Sequence, residues 1–205
     1  MVGRKIYVEI GDSTVPVAID EKTRAKDIKR QLGAEDYNLR VNDVTLSDNE
    51  RILPLLREGS NTIRLLPPAI VGSKPFYFFE PGDRLAQEET LLRRRGFYRT
   101  KSGFTGLFVA GGKVYRMFVL IPETFPFSRP RIFVNDPSLA KLHECILEAD
   151  GMAEIHFHEY SWNPGRHIVD LVDHAVLFLK SFLGERTKNE SSGFLEVLRR
   201  WRLLP

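Results

Sequence analysis

Between Leu66 and Phe76 the chain runs Pro67-Pro68-Ala69-Ile70-Val71-Gly72-Ser73-Lys74-Pro75. Three of these nine residues are prolines with no amide hydrogen to donate, and Gly72 and Ser73 add turn freedom. Neither a helix nor a sheet ladder continues through such a stretch. It divides the chain into a first piece, residues 1–67, a linker, 68–80, and a second piece, 81–205. A chain of 205 residues has room for two small domains of that kind.

With 42% hydrophobic and 28% charged residues, the composition is that of a globular protein in water. No apolar run reaches the roughly 18 residues that would span a bilayer. Met1-Val2-Gly3-Arg4-Lys5 leads straight into a strand pattern without an apolar leader. The expected location is the cytoplasm, or also the nucleus if the cell is eukaryotic. The single cysteine, Cys145, agrees, since it allows no intrachain disulfide and no cysteine-rich metal site. Thirty basic residues stand against 27 acidic ones, a balance that favours mixed surfaces over a phosphate-binding face. Nucleic acid is therefore not an expected partner.

In the first piece Ile6, Val8 and Ile10 alternate with polar positions, as do Val15, Val17 and Ile19, with Gly11-Asp12-Ser13-Thr14 as the turn. That is a hairpin with one buried face. Thr23 is placed to cap a short helix with Ala25, Ile28 and Leu32 on one side, stopped by Gly33. Short strands are expected over 39–41 and 44–46 around Asn42-Asp43, and a closing strand over 61–66. This order within about 65 residues resembles ubiquitin and its relatives, most closely in Leu39-Arg40-Val41-Asn42-Asp43-Val44-Thr45-Leu46 and in Glu58-Gly59-Ser60-Asn61-Thr62-Ile63-Arg64-Leu65. The resemblance implies a β-grasp domain. Two departures bear on function. Leu66 leads into proline instead of a free two-glycine tail, so this piece is not a conjugated modifier unless first cleaved. Arg40 stands where the family exposes an isoleucine to its receptors, so those receptors are not expected partners; a docking or folding appendage is the plainer role.

In the second piece a helix is expected from Asp83 to about Arg95. Arg93-Arg94-Arg95 sits at its negative end and completes the dipole more readily than it forms a phosphate patch. The aromatic run Phe76-Tyr77-Phe78-Phe79 is suited to packing the two pieces together or to adding a strand. A hairpin of strands over 104–110 and 114–121 turns at Gly111-Gly112. Pro122, Pro126 and Pro130 then impose an extended loop before another strand over 131–134. This succession, with Phe125-Pro126-Phe127, resembles the ubiquitin-conjugating enzymes. Further landmarks follow in the same order: His143-Glu144-Cys145 where that family has His-Pro-Asn, Gly151, Trp162-Asn163-Pro164 for its Trp-Ser-Pro, and an apolar helix over 168–183. The likeness covers about 84–184, and the whole chain is expected to be α+β.

Counting three residues on from Gly151, or eight back from Trp162, reaches Glu154. The resemblance therefore puts a carboxylate at the position of the catalytic cysteine and Cys145 at that of the oxyanion-stabilising asparagine. A carboxylate is no thioester former, and the neutral donor is gone as well. What this implies is a non-catalytic relative, like the conjugating-enzyme variants and RWD domains, that binds proteins: a ubiquitin-like modifier, a conjugating or activating enzyme, a target, or complex subunits. No cofactor is expected. Two alternatives stay open. One is an enzyme in which Cys145 is a displaced nucleophile with His143 or His156 as base; the other is a structural subunit docked through the β-grasp domain, and Cys145 itself reads more simply as a partly buried small hydrophobe. His156 and His158, two apart on a strand, share a face and could hold a metal with Glu154 or His143, although such pairs are more often ordinary surface. The end of the chain is expected as a polar loop followed by an amphipathic segment, Phe194 to Leu204, that packs on the domain or binds a partner.

Overall fold

The computed structural model describes residues 4–57, 61–68, 84–157 and 161–184. Over these residues the protein is α+β, with a five-stranded sheet, a six-stranded sheet and three α-helices. Strands β1 (Arg4–Ile10) and β2 (Ser13–Ile19) pair antiparallel with Ile10 opposite Ser13. The turn is thus the two residues Gly11-Asp12, shorter than the expected four, because Ser13 and Thr14 already join the ladder. Gly11, at φ +56°, takes the left-handed conformation this tight connection requires. Alternation does what the pattern dictates: Ile6, Val8, Ile10, Val15, Val17 and Ile19 are all buried.

Helix α1 (Ala25–Gln31) buries Ala25 and Ile28 against this sheet. Thr23 is not its cap. The Thr23 hydroxyl is used within its own turn, accepting from the Asp20 amide at 2.9 Å and donating to the Asp20 carboxylate at 2.8 Å. The Arg24 amide at the helix start instead donates to Asp27 at 2.9 Å. Strands β3 (Asn38–Val41) and β4 (Val44–Thr45) meet at Asn42 and Asp43, both at positive φ, as a two-residue turn of that composition favours. Strand β5 (Ile63–Leu66) runs antiparallel to β3 and parallel to β1, giving the order β2-β1-β5-β3-β4.

In the second sheet β6 (Tyr98–Arg99), β7 (Gly103–Ala110), β8 (Lys113–Leu120), β9 (Arg131–Val134), β10 (Ile146–Ala149) and β11 (Met152–Ile155) lie in the antiparallel order β10-β11-β9-β8-β7-β6. Helix α2 (Arg84–Arg94) packs beside helix α3 (Ile168–Phe182). Leu171, Val172, Ala175, Phe178 and Leu179 of α3 share one core with Phe104, Phe108, Met117, Val119, Ile132 and Val134 of the sheet. Two of the three arginines at this end form ion pairs: Arg93 in α2 to Glu89 at 2.8 Å, and Arg95 just past the helix forked onto Asp173 of α3 at 3.1 and 2.8 Å.

Strand β7 is buried along its whole length. Its inner face joins the α3 core, whereas Leu107 and Val109 on the outer face join the core of the first sheet. A strand covered on both sides carries few polar positions, and between Phe104 and Ala110 only Thr105 is polar, its hydroxyl donating to the Met117 carbonyl at 2.9 Å. No helix among the described residues is long and apolar enough to cross a membrane. Asp83, the aromatic run Phe76 to Phe79, and the segment 194–204 lie outside the described residues.

Candidate functional site

The β10–β11 hairpin turns at Asp150 and Gly151, both at positive φ, and sets Leu147 opposite Glu154. Glu154 is also paired with Phe133 of β9. Strand alternation sends Ala153 and Ile155 into the helix-side core, so Glu154 stands on the outer face of the sheet. It is nonetheless only 6% exposed. Arg131 covers it in a two-pronged ion pair, Nε to Oε1 and Nη2 to Oε2, both at 2.6 Å. His156 Nε2 lies 3.2 Å from Oε2. The Arg131 guanidinium in turn stacks over Phe133, 4.9 Å from the ring centroid.

The Arg131 fork is the main reason that the Glu154 carboxyl titrates below its ordinary value of 4.5; desolvation opposes the shift and His156 assists it. At neutral pH this group is a fixed anion with both oxygens engaged. It neither shuttles protons nor offers a nucleophile comparable to a thiolate. Because its pKa falls on folding, the stability it contributes is full above the unfolded value and is lost as pH drops through the folded one. Glu154→Gln is therefore expected to flatten the acid limb of the stability curve below about pH 4.5. Urea titrations of both proteins across that range check this, and parallel acid limbs would count against it.

Cys145 sits at the end of the turn that follows a short 3₁₀ segment, Pro137–Lys141. It is 5% exposed and belongs to the core around α3. Two histidines meet its main chain. His143 Nδ1 accepts from the Cys145 amide at 3.0 Å, and the His156 amide donates to the Cys145 carbonyl at 2.7 Å. The His143 ring lies against Phe178 and Phe182, with centroids 5.5 and 5.2 Å away. Accepting that amide occupies the Nδ1 lone pair, so that nitrogen is not available as a base toward the thiol.

Trp162 ties the segment before α3 to the proline loop. Its Nε1 donates to the Pro126 carbonyl at 2.8 Å, and its ring is 6.1 Å from that of Phe125. Pro164 lies in the turn that Asn163 closes by accepting from the Gly165 amide at 3.0 Å. The Phe125–Pro126 peptide is cis, and Phe127 beside it is 80% exposed. Among the described residues no three His, Cys, Asp or Glu side chains are grouped to hold a metal ion. His158 lies outside the described residues.

Sequence reading missed Glu88. Its side chain is fully buried in α2, where it meets Arg84 at 2.8 Å and His167 Nδ1 at 3.0 Å. It also accepts from the amide of Ile168, the first residue of α3, at 2.8 Å. Only the four-residue spacing of Arg84 and Glu88 could have drawn attention to it.

No protein-family model, no curated protein and no solved structure matches the chain.

Proposed function

We propose that this protein is a non-catalytic binding or scaffold protein of a ubiquitin-like conjugation or sorting pathway. It holds a modifier, a conjugating enzyme or a target through a ubiquitin-like first unit and a conjugating-enzyme-like second unit. The observation that carries this reading is the state of Glu154. At the position where the resemblance calls for a thiolate stands a carboxylate with both oxygens committed to Arg131. Two further observations support it. The strand order β2-β1-β5-β3-β4 with β1 parallel to β5 agrees with a β-grasp, and the antiparallel second sheet backed by α3 agrees with a conjugating-enzyme core. The burial of Cys145 and the engagement of His143 by its amide weaken the displaced-nucleophile alternative.

Calorimetric titration with ubiquitin-like modifiers and with conjugating enzymes tests the reading. Saturable binding that Cys145→Ser leaves unchanged is the expected result. Absence of binding to every member of both classes would contradict it.

A further inference from the structure

We propose that the cleft bounded by the β1–β2 turn, the end of α2 and helix α3 is a binding site for a small aliphatic monocarboxylate, its hydrocarbon against the apolar walls and its carboxylate at Arg94. This inference stands independently of the functional reading above.

The cleft has a volume of about 330 Å³, at the small end of the range of about 300–1,000 Å³ that ligand pockets occupy. Its apolar lining includes Ile10, Phe97, Leu107, Phe108, Val172 and Val176. Ile10 and Leu107 are anchored in the core of the first sheet, whereas Phe97, Phe108 and Val172 are anchored in the core around α3. Walls fixed in packed cores are in place before a ligand arrives, so binding costs little ordering. Leu177 of α3 also lines the cleft, belongs to neither core and keeps 38% of its surface exposed. Covering such a side chain with hydrocarbon is favoured by the apolar area it takes out of water.

The charges lining the cleft select the other end of the ligand. Arg94, Arg95 and Lys180 are its cations, and Asp12 and Asp173 its carboxylates. Arg95 is spent on Asp173 in the fork described above, and it also feels the charge of Asp12. Arg94 is the remaining arginine of the triplet. It is exposed and forms no ion pair among the described residues. Three cations against two carboxylates leave one net positive charge, which a single carboxylate neutralises. A phosphate monoester, at about −1.5 to −2 near neutral pH, overshoots that balance. One charge beside an apolar lining therefore describes a short fatty acid better than a phosphorylated ligand.

Octanoate is the probe, and octanol supplies the same hydrocarbon without the charge. Calorimetric titration of the full chain is expected to show one saturable site for octanoate. Octanol is expected to bind at least about tenfold more weakly, the difference that a hydrogen bond to a charged group makes. This comparison needs no variant. Arg94→Glu turns the net charge of the lining from positive to negative and is expected to weaken octanoate by about tenfold or more, with octanol unchanged. Leu177→Ser is expected to weaken both ligands, by about threefold to tenfold. Lys101→Glu makes the same charge change at an exposed position outside the cleft and is expected to bind octanoate like the wild type. Circular dichroism checks that each variant is folded. The proposal is overturned if octanoate shows no saturable site or if octanol binds as tightly. It is also overturned if Arg94→Glu or Leu177→Ser binds octanoate like the wild type, or if Lys101→Glu weakens binding as much as Arg94→Glu does.

Discussion

Replacing Glu88 with alanine is expected to destabilise the protein by about 3 kcal/mol, with about half of the effect recovered by glutamine. The carboxylate is fully buried and joins α2 to the start of α3. Its loss strips the Ile168 amide of its acceptor inside the protein, a cost of about 1–3 kcal/mol by itself. It also leaves the positive end of the α3 dipole and the Arg84 guanidinium without their counter-charge. Removing one partner of a buried ion pair typically costs about 3–5 kcal/mol. The Arg84 side chain is 24% exposed and can turn toward water, which points to the lower end. Glutamine keeps an acceptor for Ile168 and loses only the charge, so it should cost about half as much. Urea unfolding with an unchanged slope measures both; an alanine variant within about 0.5 kcal/mol of wild type would mean the junction is not structural.

Phe178→Ala is the second large effect, about 3–5 kcal/mol for a buried phenylalanine deleted from a packed core. The ring is 1% exposed and stands among His143, Phe157 and Phe182 at centroid distances of 5.5, 5.4 and 5.0 Å. A local consequence distinguishes it from other core deletions. His143 rests on this ring and accepts the Cys145 amide, so loosening the ring loosens the turn that buries the thiol. Labelling of Cys145 by a disulfide reagent under native conditions is expected to be slow in the wild type and markedly faster in the variant. Equal rates at matched stability would show that the inertness of the thiol owes nothing to this packing.

Much of the fold was legible because it obeys short periods. Ile6-Val8-Ile10 and Val15-Val17-Ile19 give a hairpin from alternation alone, and Asn42-Asp43 gives a turn from composition. Helix caps were less legible, since Thr23 fits the residue preference of a cap but its hydroxyl is spent within its own turn on Asp20. The position of Glu154 followed from counting between Gly151 and Trp162. Its environment did not, because Arg131 lies 23 residues away. The same limit hid the other charged junctions: Asp36 meets Arg116 across 80 residues and Glu88 meets His167 across 79. No periodicity encodes such pairs. They are consequences of how strands and helices far apart in sequence are brought together. The pattern of residues 104–110 gave a strand, but not that the first unit covers its outer face.

The central claim is that this protein binds without catalysing transfer. A charging assay tests it most directly, with activating enzyme, ATP and candidate modifiers, read on non-reducing gels for wild type and Cys145→Ala. No thiol-sensitive adduct is expected on either protein, while wild type and variant alike retain a modifier or a conjugating enzyme in pull-down. A thiol-sensitive adduct on the wild type that disappears in Cys145→Ala would contradict it and make Cys145 the nucleophile of an active conjugating enzyme.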